Sequence, residues 1–223
     1  MTRVLDILLS GIALIILTPL MIPVMIGLKL TGEHYIFYEQ MRVGKGGVEF
    51  PLLKFATMLK DSPNLPGGLI TSKNDPRMLP MGRFLRKTKI NELPQLINIL
   101  KGDMSIIGYR PQMKEVYQMY SAETREKIKR TRPGLSGIGS IVFRNEEEIL
   151  QSTEDPKTFH REVIMPYKGE LESWYADHRS LSMYVKLIIL TIDAVLNPKS
   201  RRWWRDLKTY GIPKPPKALQ EYL

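Results

Sequence analysis

Apolar side chains dominate the first thirty positions, and no charged residue interrupts the run Ile7–Leu28. A helix of this length reaches about 33 Å, enough to cross the hydrocarbon core of a bilayer. Pro19 and Pro23 lie in the middle of the run. Because proline removes a backbone donor and clashes with the preceding turn, we expect a bend or break there. The pattern predicts a re-entrant membrane helix over residues 1–30.

The charges at the ends of this run do not indicate which end of the helix faces the cytoplasm, because Arg3 precedes the run and Lys29 follows it. Both ends on the cytoplasmic side fit this symmetry, and a straight span is the alternative. A cleaved signal peptide is weakened by the missing small-residue cleavage site. A buried core helix is weakened because no face of the run is polar.

Extended and turn signals follow the apolar run, which should end at Thr31-Gly32. The glycine-rich segment Val43–Gly47 and the strand-like segment Val48–Phe55 predict a β-hairpin. The spacing of a P-loop is absent. The polar stretch from Ser62 to Arg77 is rich in Pro, Gly and Asn and predicts a long loop, which is either functional or a solvated surface.

The stretch Lys87–Pro111 concentrates charged, amide, apolar and turn residues in one short span. A basic amphipathic segment, Met81–Lys89, leads into it. Leucine and isoleucine between Leu93 and Leu100 then recur at helical spacing. Gly102-Asp103 should end that helix, and Met104–Ile107 is strand-like.

The last third predicts further helices. Lys114–Arg132 is helical in pattern, and the acidic run Glu146–Glu148 indicates a solvated helix start. Leu181–Leu196 is too short and too charged for a span and predicts an amphipathic helix. The basic tail with the pair Trp203-Trp204 fits an interfacial anchor or a peripheral helix with its indoles packed inward. His34, His160 and His178 have no spacing typical of metal ligands.

Composition narrows the partners. The formal charge of +10 favours an anionic partner such as phospholipid headgroups, a phosphorylated substrate or nucleic acid. No recognised nucleic-acid module is present, so nucleic acid is the weakest of these. The absence of cysteine excludes disulfides, zinc-thiolate sites and cysteine nucleophiles. Together the patterns predict a mostly helical α+β fold with a re-entrant membrane helix, a small β-hairpin region and amphipathic interfacial helices on a compact helical domain over residues 31–223.

An ordered series of short motifs resembles the bacterial sugar transferases, the monotopic phosphoglycosyl transferases. The series comprises the apolar helix with its Thr-Pro pair, RVGKGG, KFATM, NDPR, GRFLRKT, ELPQL, NILKGDMS, RP and RPGLSG. Each motif is weak alone, but their order and spacing over nearly the whole chain are specific.

The resemblance implies a membrane enzyme held in one leaflet at the cytoplasmic face of the bacterial inner membrane. It implies transfer of a phospho-sugar from a nucleotide-diphosphate sugar to polyprenyl phosphate, with Mg²⁺ as cofactor. Implied partners are these two substrates and membrane lipids, without nucleic acid, and a homodimer is left open. In the family an Asp attacks phosphorus, and the adjacent Glu helps hold the metal.

Carried onto this sequence, the family pattern assigns Glu92 to the metal and to catalysis, with Asn91 at the nucleophile position and Asp103 as a further catalytic candidate. The substrate- and phosphate-binding candidates are cationic, polar or acidic residues of the matching motifs: Lys54, Thr57, Asp75, Arg77, Lys87, Gln95, Arg110, Arg132 and Arg144.

Three positions depart from the family pattern: Asn91 in place of the nucleophilic Asp, Ala56 in place of an Arg, and Tyr109 in place of a Pro. Four explanations stand open. The chain uses another carboxylate, transfers the group directly without a covalent intermediate, carries a trapping mutation, or is a non-catalytic relative that binds the lipid carrier or a partner enzyme. The replacement carboxylates to consider are Glu92, Asp103, Asp75 and Asp61. Three simultaneous departures favour a natural subgroup over one engineered substitution. The charged residues that remain favour an active enzyme, namely Glu92, Asp75, Arg77, Asp103 and Arg110.

Overall fold

Helices are the main elements of the computed structural model, which describes residues 2–65, 75–197, 200 and 202–223. The helices are α1 (Thr2–Leu30), α2 (Gly82–Lys87), α3 (Gln95–Lys101), α4 (Lys114–Tyr117), α5 (Ala122–Ile128), α6 (Ile138–Val142), α7 (Glu146–Gln151), α8 (Pro156–Phe159), α9 (Met165–Asp177), α10 (Leu181–Leu196) and α11 (Arg202–Lys208). The strands are β1 (Phe37–Val43), β2 (Glu49–Phe55), β3 (Ser105–Ile107) and β4 (Gly134–Ser136). The predicted mostly helical α+β class is confirmed.

Contacts divide the chain into two compact units. The large unit comprises Met1–Asp6, Arg42–Phe50 and Gly102–Leu223, and the small unit comprises Ile7–Met41 and Pro51–Lys101. This division separates Met1–Asp6 from the rest of α1. The domain boundary that the sequence predicts after residue 30 stays a prediction.

Helix α1 is one continuous element in which Pro19 and Pro23 are included without interrupting it. It is the one helix, among the residues described, that is long and apolar enough to cross a membrane. The helix is therefore not broken at the prolines, and the expected bend stays a prediction. Thr18 Oγ1 donates to the Leu14 carbonyl at 2.6 Å. This side-chain donor lies next to Pro19, which has no backbone N–H.

The small unit is built around the carboxyl end of α1. Met21, Val24 and Leu28 bury their side chains against Phe55 of β2 and Leu85 of α2. Asn98 of α3 fixes β2 on its other side, because its amide donates to the Pro51 carbonyl at 2.9 Å and accepts from the Leu53 N–H at 3.0 Å. The predicted hairpin is confirmed as β1 paired with β2.

The large unit buries its main core between β3, α6 and the long helices α9 and α10. Strands β3 and β4 pair in parallel, with Ser105 opposite Gly134 and Ile107 opposite Ser136. Helix α10 places Tyr184, Leu187 and Leu190 in this core. Its opposite face exposes aliphatic side chains, namely Val185, Ile189, Ile192, Val195 and Leu196.

Two sequence expectations in the large unit are wrong. Lys114–Arg132 is not one helix, because Ser121 accepts from the Thr124 N–H at 3.1 Å and starts α5 as a separate helix. The start of α7 is not simply solvated, because Glu146 forms a 2.7 Å ion pair with Lys168, whose side chain is 3% exposed. In the basic tail, Trp203 is buried in the main core, as expected for a peripheral helix whose indoles pack inward.

Candidate functional site

The turn between α2 and α3 carries the centre of the predicted site. Helix α2 ends at Lys87, and Lys89 then adopts a left-handed backbone conformation with φ of 60°. This reversal leads into a single helical turn, Ile90–Glu92, before α3 begins at Gln95. A non-glycine residue in this conformation is uncommon, so the packing of the turn determines the path of the chain here.

Asn91 is buried in this turn, with 7% of its surface exposed, and its Oδ1 finds no hydrogen-bond partner within the described part of the chain. An unsatisfied buried carbonyl oxygen costs free energy unless a ligand or water meets it. Glu92 is half-buried beside it, and Gln95 is buried one turn later. Lys87 is exposed at the end of α2. The turn therefore carries a buried amide oxygen on Asn91 and a carboxylate on the following residue.

The KFATM motif covers the end of β2 and the segment that follows it in the small unit. Lys54 Nζ donates to Gln40 Oε1 at 3.2 Å, across the hairpin. The backbone carbonyl of Thr57 accepts from the Leu79 N–H at 2.9 Å. Ala56, which lies between Lys54 and Thr57 in the sequence, is completely buried. The position at which the family has an Arg is therefore closed to solvent here.

Asp75 and Arg77 form a buried, bidentate ion pair. The guanidinium donates from Nε to Oδ1 at 2.8 Å and from Nη2 to Oδ2 at 2.6 Å, and the Arg77 backbone N–H reaches Oδ1 at 3.0 Å. Nη1 donates to the Ser62 carbonyl at 2.8 Å. The pair ties the chain on either side of residues 66–74, which lie outside the described residues. Asp75 and Arg77 of the NDPR motif thus have a structural role.

Four predicted residues belong to the large unit: Asp103, Arg110, Arg132 and Arg144. Arg132 Nε donates to the Gly102 carbonyl at 2.8 Å, so this side chain lies beside the turn that carries Asp103. Asp103 and Arg110 are half-buried, and Arg144 is exposed.

Glycines explain why the segments of Arg110 and Arg132 run together. A Cβ on Gly134 would overlap the Gly108 nitrogen, and one on Gly137 would overlap the Gly108 carbonyl oxygen. The Gly134 N–H donates to the Tyr109 carbonyl at 2.8 Å. The glycines of the RPGLSG motif are therefore needed for close backbone approach between β3 and β4. Tyr109 fills a buried site, and its burial raises the pKa of its phenol well above the usual value.

A buried charged cluster in the large unit was missed by the sequence analysis. Lys168 pairs with Glu146 at 2.7 Å and lies 5.2 Å from the centroid of the Phe143 ring, and His160 Nε2 lies 3.3 Å from Glu146. Burial acts to raise the pKa of Glu146, but Lys168 and His160 outweigh burial and hold it at about 2.

Glu172 completes this cluster one turn after Lys168 on α9. It is 1% exposed, and neither carboxylate oxygen has a hydrogen bond of ordinary geometry to any residue that the structure describes. Burial raises its pKa to about 8, while Lys168 and the backbone N–H groups of Arg110 and Gly139 act in the opposite direction. Lys168 and Glu172 at i and i+4 are the signal that sequence reading could have used.

The α2–α3 turn carries two side chains with oxygen atoms of the kind that a divalent cation binds, those of Asn91 and Glu92. No group of three or more His, Cys, Asp or Glu side chains within the described part of the chain could hold a metal by itself. Mg²⁺ commonly takes only one or two protein carboxylates and completes its shell with water and substrate phosphates. Asn91 and Glu92 are consecutive residues that carry hard oxygen ligands of this kind, so their chemistry is compatible with Mg²⁺.

The chain is similar to known proteins over most of its length. The family model for bacterial sugar transferases matches residues 1–198. The undecaprenyl-phosphate galactose phosphotransferase of Salmonella typhimurium is 31% identical over 208 residues, which cover 87% of this chain and 40% of that protein. The UDP-N-acetylgalactosamine-undecaprenyl-phosphate N-acetylgalactosaminephosphotransferase of Aeromonas hydrophila is 37% identical over 196 residues, covering 87% and 43%.

A sugar transferase of Bacillus subtilis, EpsL, is 34% identical over 161 residues, which cover 72% of this chain and 70% of that protein. The chain thus spans about two fifths of the length of the first two relatives and most of the third. The matched region contains every predicted site residue.

Proposed function

Because the chain belongs to the bacterial sugar transferase family, we propose that it transfers a phospho-sugar from a nucleotide-diphosphate sugar to polyprenyl phosphate. The family match over residues 1–198 carries this proposal. The names of the Salmonella and Aeromonas relatives support the acceptor, undecaprenyl phosphate, and one of them supports a UDP-sugar as donor. The net charge of +10 suits two anionic substrates at a lipid surface.

The membrane placement that we propose is re-entrant, at the cytoplasmic face of the bacterial inner membrane. At the amino end of α1, Asp6 accepts hydrogen bonds inside the large unit from Ser105 and Tyr184. At the carboxyl end, Leu28 is buried inside the small unit. Outside α1, neither unit offers a further candidate span among its described residues. These attachments support our proposal that both ends of α1 lie on the same side of the membrane.

The exposed aliphatic face of α10 supports a monotopic arrangement. Five aliphatic side chains of this face are more than a third exposed. A helix with one buried and one exposed apolar face is suited to lie in the interface of a bilayer. Lys186 of α10 and Arg202 of α11 both form ion pairs with Asp206. Basic residues beside an apolar face favour contact with anionic headgroups.

The mechanism that we propose is direct displacement. An oxygen of polyprenyl phosphate attacks the phosphorus that carries the sugar, and the bond to the bridging oxygen breaks. The electron pair leaves with the nucleoside monophosphate. An amide such as that of Asn91 is a poor nucleophile, and Asp75 is engaged by Arg77 in a buried pair. Asn91 and Glu92 would instead hold Mg²⁺, and the ion would supply positive charge to neutralise the developing charge on the diphosphate.

Release of nucleoside monophosphate tests the activity. The purified protein is incubated in micelles with polyprenyl phosphate, Mg²⁺ and a panel of nucleotide-diphosphate sugars. Glu92→Gln should reduce release about a hundredfold or more, since it removes the carboxylate at the turn. Glu39→Gln alters an exposed carboxylate of β1 in the same unit and should leave the rate unchanged. No release by the unaltered protein with any donor would reject the activity.

Intact mass measurement after incubation with donor alone separates the two mechanisms. Direct displacement predicts no phospho-sugar adduct on the protein. An adduct would show that a carboxylate replaces the family nucleophile, and peptide mapping would identify it among Glu92, Asp103, Asp75 and Asp61.

Asn91 also favours a second candidate function, a non-catalytic relative that binds the lipid carrier or a partner enzyme. This role predicts binding of polyprenyl phosphate without turnover. Turnover that Glu92→Gln abolishes would exclude it.

A further inference from the structure

A surface cavity of the large unit lies where the turn of the β-hairpin meets α4 and α5. Its volume is about 520 Å³, and cavities of about 300–1,000 Å³ are typical sites for small organic ligands. Its lining includes two cations, a carboxylate and an aromatic ring, those of Lys114, Arg125, Glu49 and Tyr117. None of these four residues belongs to the site predicted from the sequence. The cavity is therefore a candidate for a further binding site.

Hydrogen bonds fix the walls of this cavity. The Gly46 N–H in the hairpin turn donates to the Lys129 carbonyl just after α5 at 2.7 Å. Tyr117 Oη of α4 donates to the Arg125 carbonyl of α5 at 3.3 Å. The hairpin turn, α4 and α5 are therefore held together without a ligand. A cavity that exists in advance binds its ligand with a smaller loss of conformational entropy.

The two cations of the lining have no carboxylate partner. Lys114 is exposed and Arg125 is half-buried, and neither forms an ion pair with any residue that the structure describes. Arg125 Nη1 donates to the Gln118 carbonyl at 2.9 Å. Because a guanidinium has five N–H donors, this bond leaves capacity for further acceptors. Two such cations at one concave surface favour a phosphate group as ligand.

The uncharged part of the lining is aromatic and aliphatic. Tyr117 is 8% exposed, and its ring meets the Tyr120 ring edge-on, with centroids 6.2 Å apart. Both rings pack in one buried cluster with Val43, which also lines the cavity. A ring that is fixed in this way gives the base of a nucleotide a flat apolar surface.

Glu49 distinguishes an organic phosphate from a bare phosphate ion. This carboxylate is exposed at the start of β2 and lines the same cavity as the two cations. It would repel an anion placed beside it, but it accepts hydrogen bonds from hydroxyl groups. A ligand that fits the whole lining thus carries a phosphate at one end and hydroxyl groups and a flat ring at the other.

We propose that this cavity binds a nucleoside phosphate. Lys114 and Arg125 hold the phosphate, Glu49 accepts from a ribose hydroxyl, and Tyr117 contacts the base. The inference rests on the chemistry of the cavity and not on the proposed function. The proposed reaction would bring two such ligands to the protein, the nucleotide-diphosphate sugar and the released nucleoside monophosphate.

Isothermal titration calorimetry of the full chain in nonionic micelles tests the proposal. The probes are the 5′-monophosphates of uridine, cytidine, adenosine and guanosine, and a chelator removes any metal-dependent contribution of Asn91 and Glu92. At least one probe should bind. Lys114→Gln and Arg125→Gln should each weaken it about tenfold, because a hydrogen bond from a charged group is lost. Arg130→Gln removes an exposed cation that does not line the cavity and should bind like the unaltered protein.

Inorganic phosphate is a second probe, and its binding should respond to Glu49 in the opposite direction. Glu49→Ala should weaken the nucleoside monophosphate severalfold but strengthen phosphate, because it removes a hydroxyl acceptor and a repulsive charge together. Glu115→Ala alters an exposed carboxylate of α4 outside the cavity lining and should change neither affinity. Phosphate that binds the unaltered protein as tightly as the nucleotide would overturn the proposal.

A comparison of each nucleoside monophosphate with the matching nucleotide-diphosphate sugar distinguishes the two sources of ligand. Tighter binding of the diphosphate sugar assigns the cavity to the donor, and tighter binding of the monophosphate assigns it to the product. Binding that Lys114→Gln weakens, in a protein without turnover, would reject the proposed function and support the cavity assignment. No binding of any nucleotide, or equal losses in Lys114→Gln and Arg130→Gln, would overturn the inference.

Discussion

Tyr184 donates a 2.6 Å hydrogen bond to Oδ1 of Asp6, a residue 178 positions earlier in the chain. The same oxygen accepts from Ser105 Oγ at 2.9 Å and from the Ile106 N–H at 2.8 Å. Asp6 is 2% exposed. A carboxylate at the start of α1 therefore accepts from three donors, which fixes the amino end of α1 to β3 and α10.

We predict that Tyr184→Phe lowers the free energy of unfolding by about 1.5–3 kcal/mol, because a hydrogen bond to a buried charged group is lost. Denaturant unfolding in micelles measures this change. Tyr222→Phe, at a more exposed ring near the end of the chain, should cost much less. Equal effects of the two substitutions would show that the bond to Asp6 does not stabilise the fold.

The Asp75–Arg77 pair predicts an order of stabilities. Arg77→Met leaves the Asp75 carboxylate buried without its cation, so it should destabilise the protein more than the double variant Asp75→Leu/Arg77→Met. Arg77→Lys should not restore the loss, because lysine cannot reproduce the bidentate geometry. Thermal unfolding of the three variants measures this order. A double variant less stable than Arg77→Met would contradict the account of a buried pair.

Glu172 predicts a pH dependence of stability. Its pKa is raised to about 8 in the folded protein from the ordinary value of 4.5. Between these pH values the folded state holds a proton that the unfolded state has lost, so stability falls as pH rises. The slope from this group is up to about 1.4 kcal/mol per pH unit.

Glu172→Gln should remove this contribution and flatten the change of stability between pH 4.5 and pH 8, measured by thermal unfolding at several pH values. Glu146, whose pKa is lowered to about 2, loses its contribution below this window and does not interfere. Glu170→Gln should keep the slope of the unaltered protein. A slope unchanged by Glu172→Gln would contradict the burial of an isolated carboxyl group.

Local patterns in the sequence predicted much of the fold. The uninterrupted apolar run gave α1, and the glycines of Val43–Gly47 gave the turn of the hairpin. These signals lie within the elements that they predict. The family motifs similarly located the turn of Asn91 and Glu92, although the sequence could not show that the Asn91 oxygen is buried without a partner.

Long-range pairing could not be predicted in the same way. Strands β3 and β4 have three residues each and pair in parallel across a long connection. The partners Glu146 and Lys168 are 22 residues apart, so the acidic run looked solvated. Asp6 finds Tyr184 at the other end of the chain. The buried site of Glu172 depends on the approach of Gly139, which only the packed structure shows.

Formation of the lipid-linked product tests the central claim most directly. The unaltered protein is incubated with polyprenyl phosphate, Mg²⁺ and each of a panel of nucleotide-diphosphate sugars, and both products are quantified. The account predicts, for at least one donor, one polyprenyl diphosphate sugar formed for each nucleoside monophosphate released. Chelation of Mg²⁺ or Glu92→Gln should suppress both products together. Absence of the lipid product with every donor, while Glu92→Gln and the unaltered protein behave alike, would contradict it.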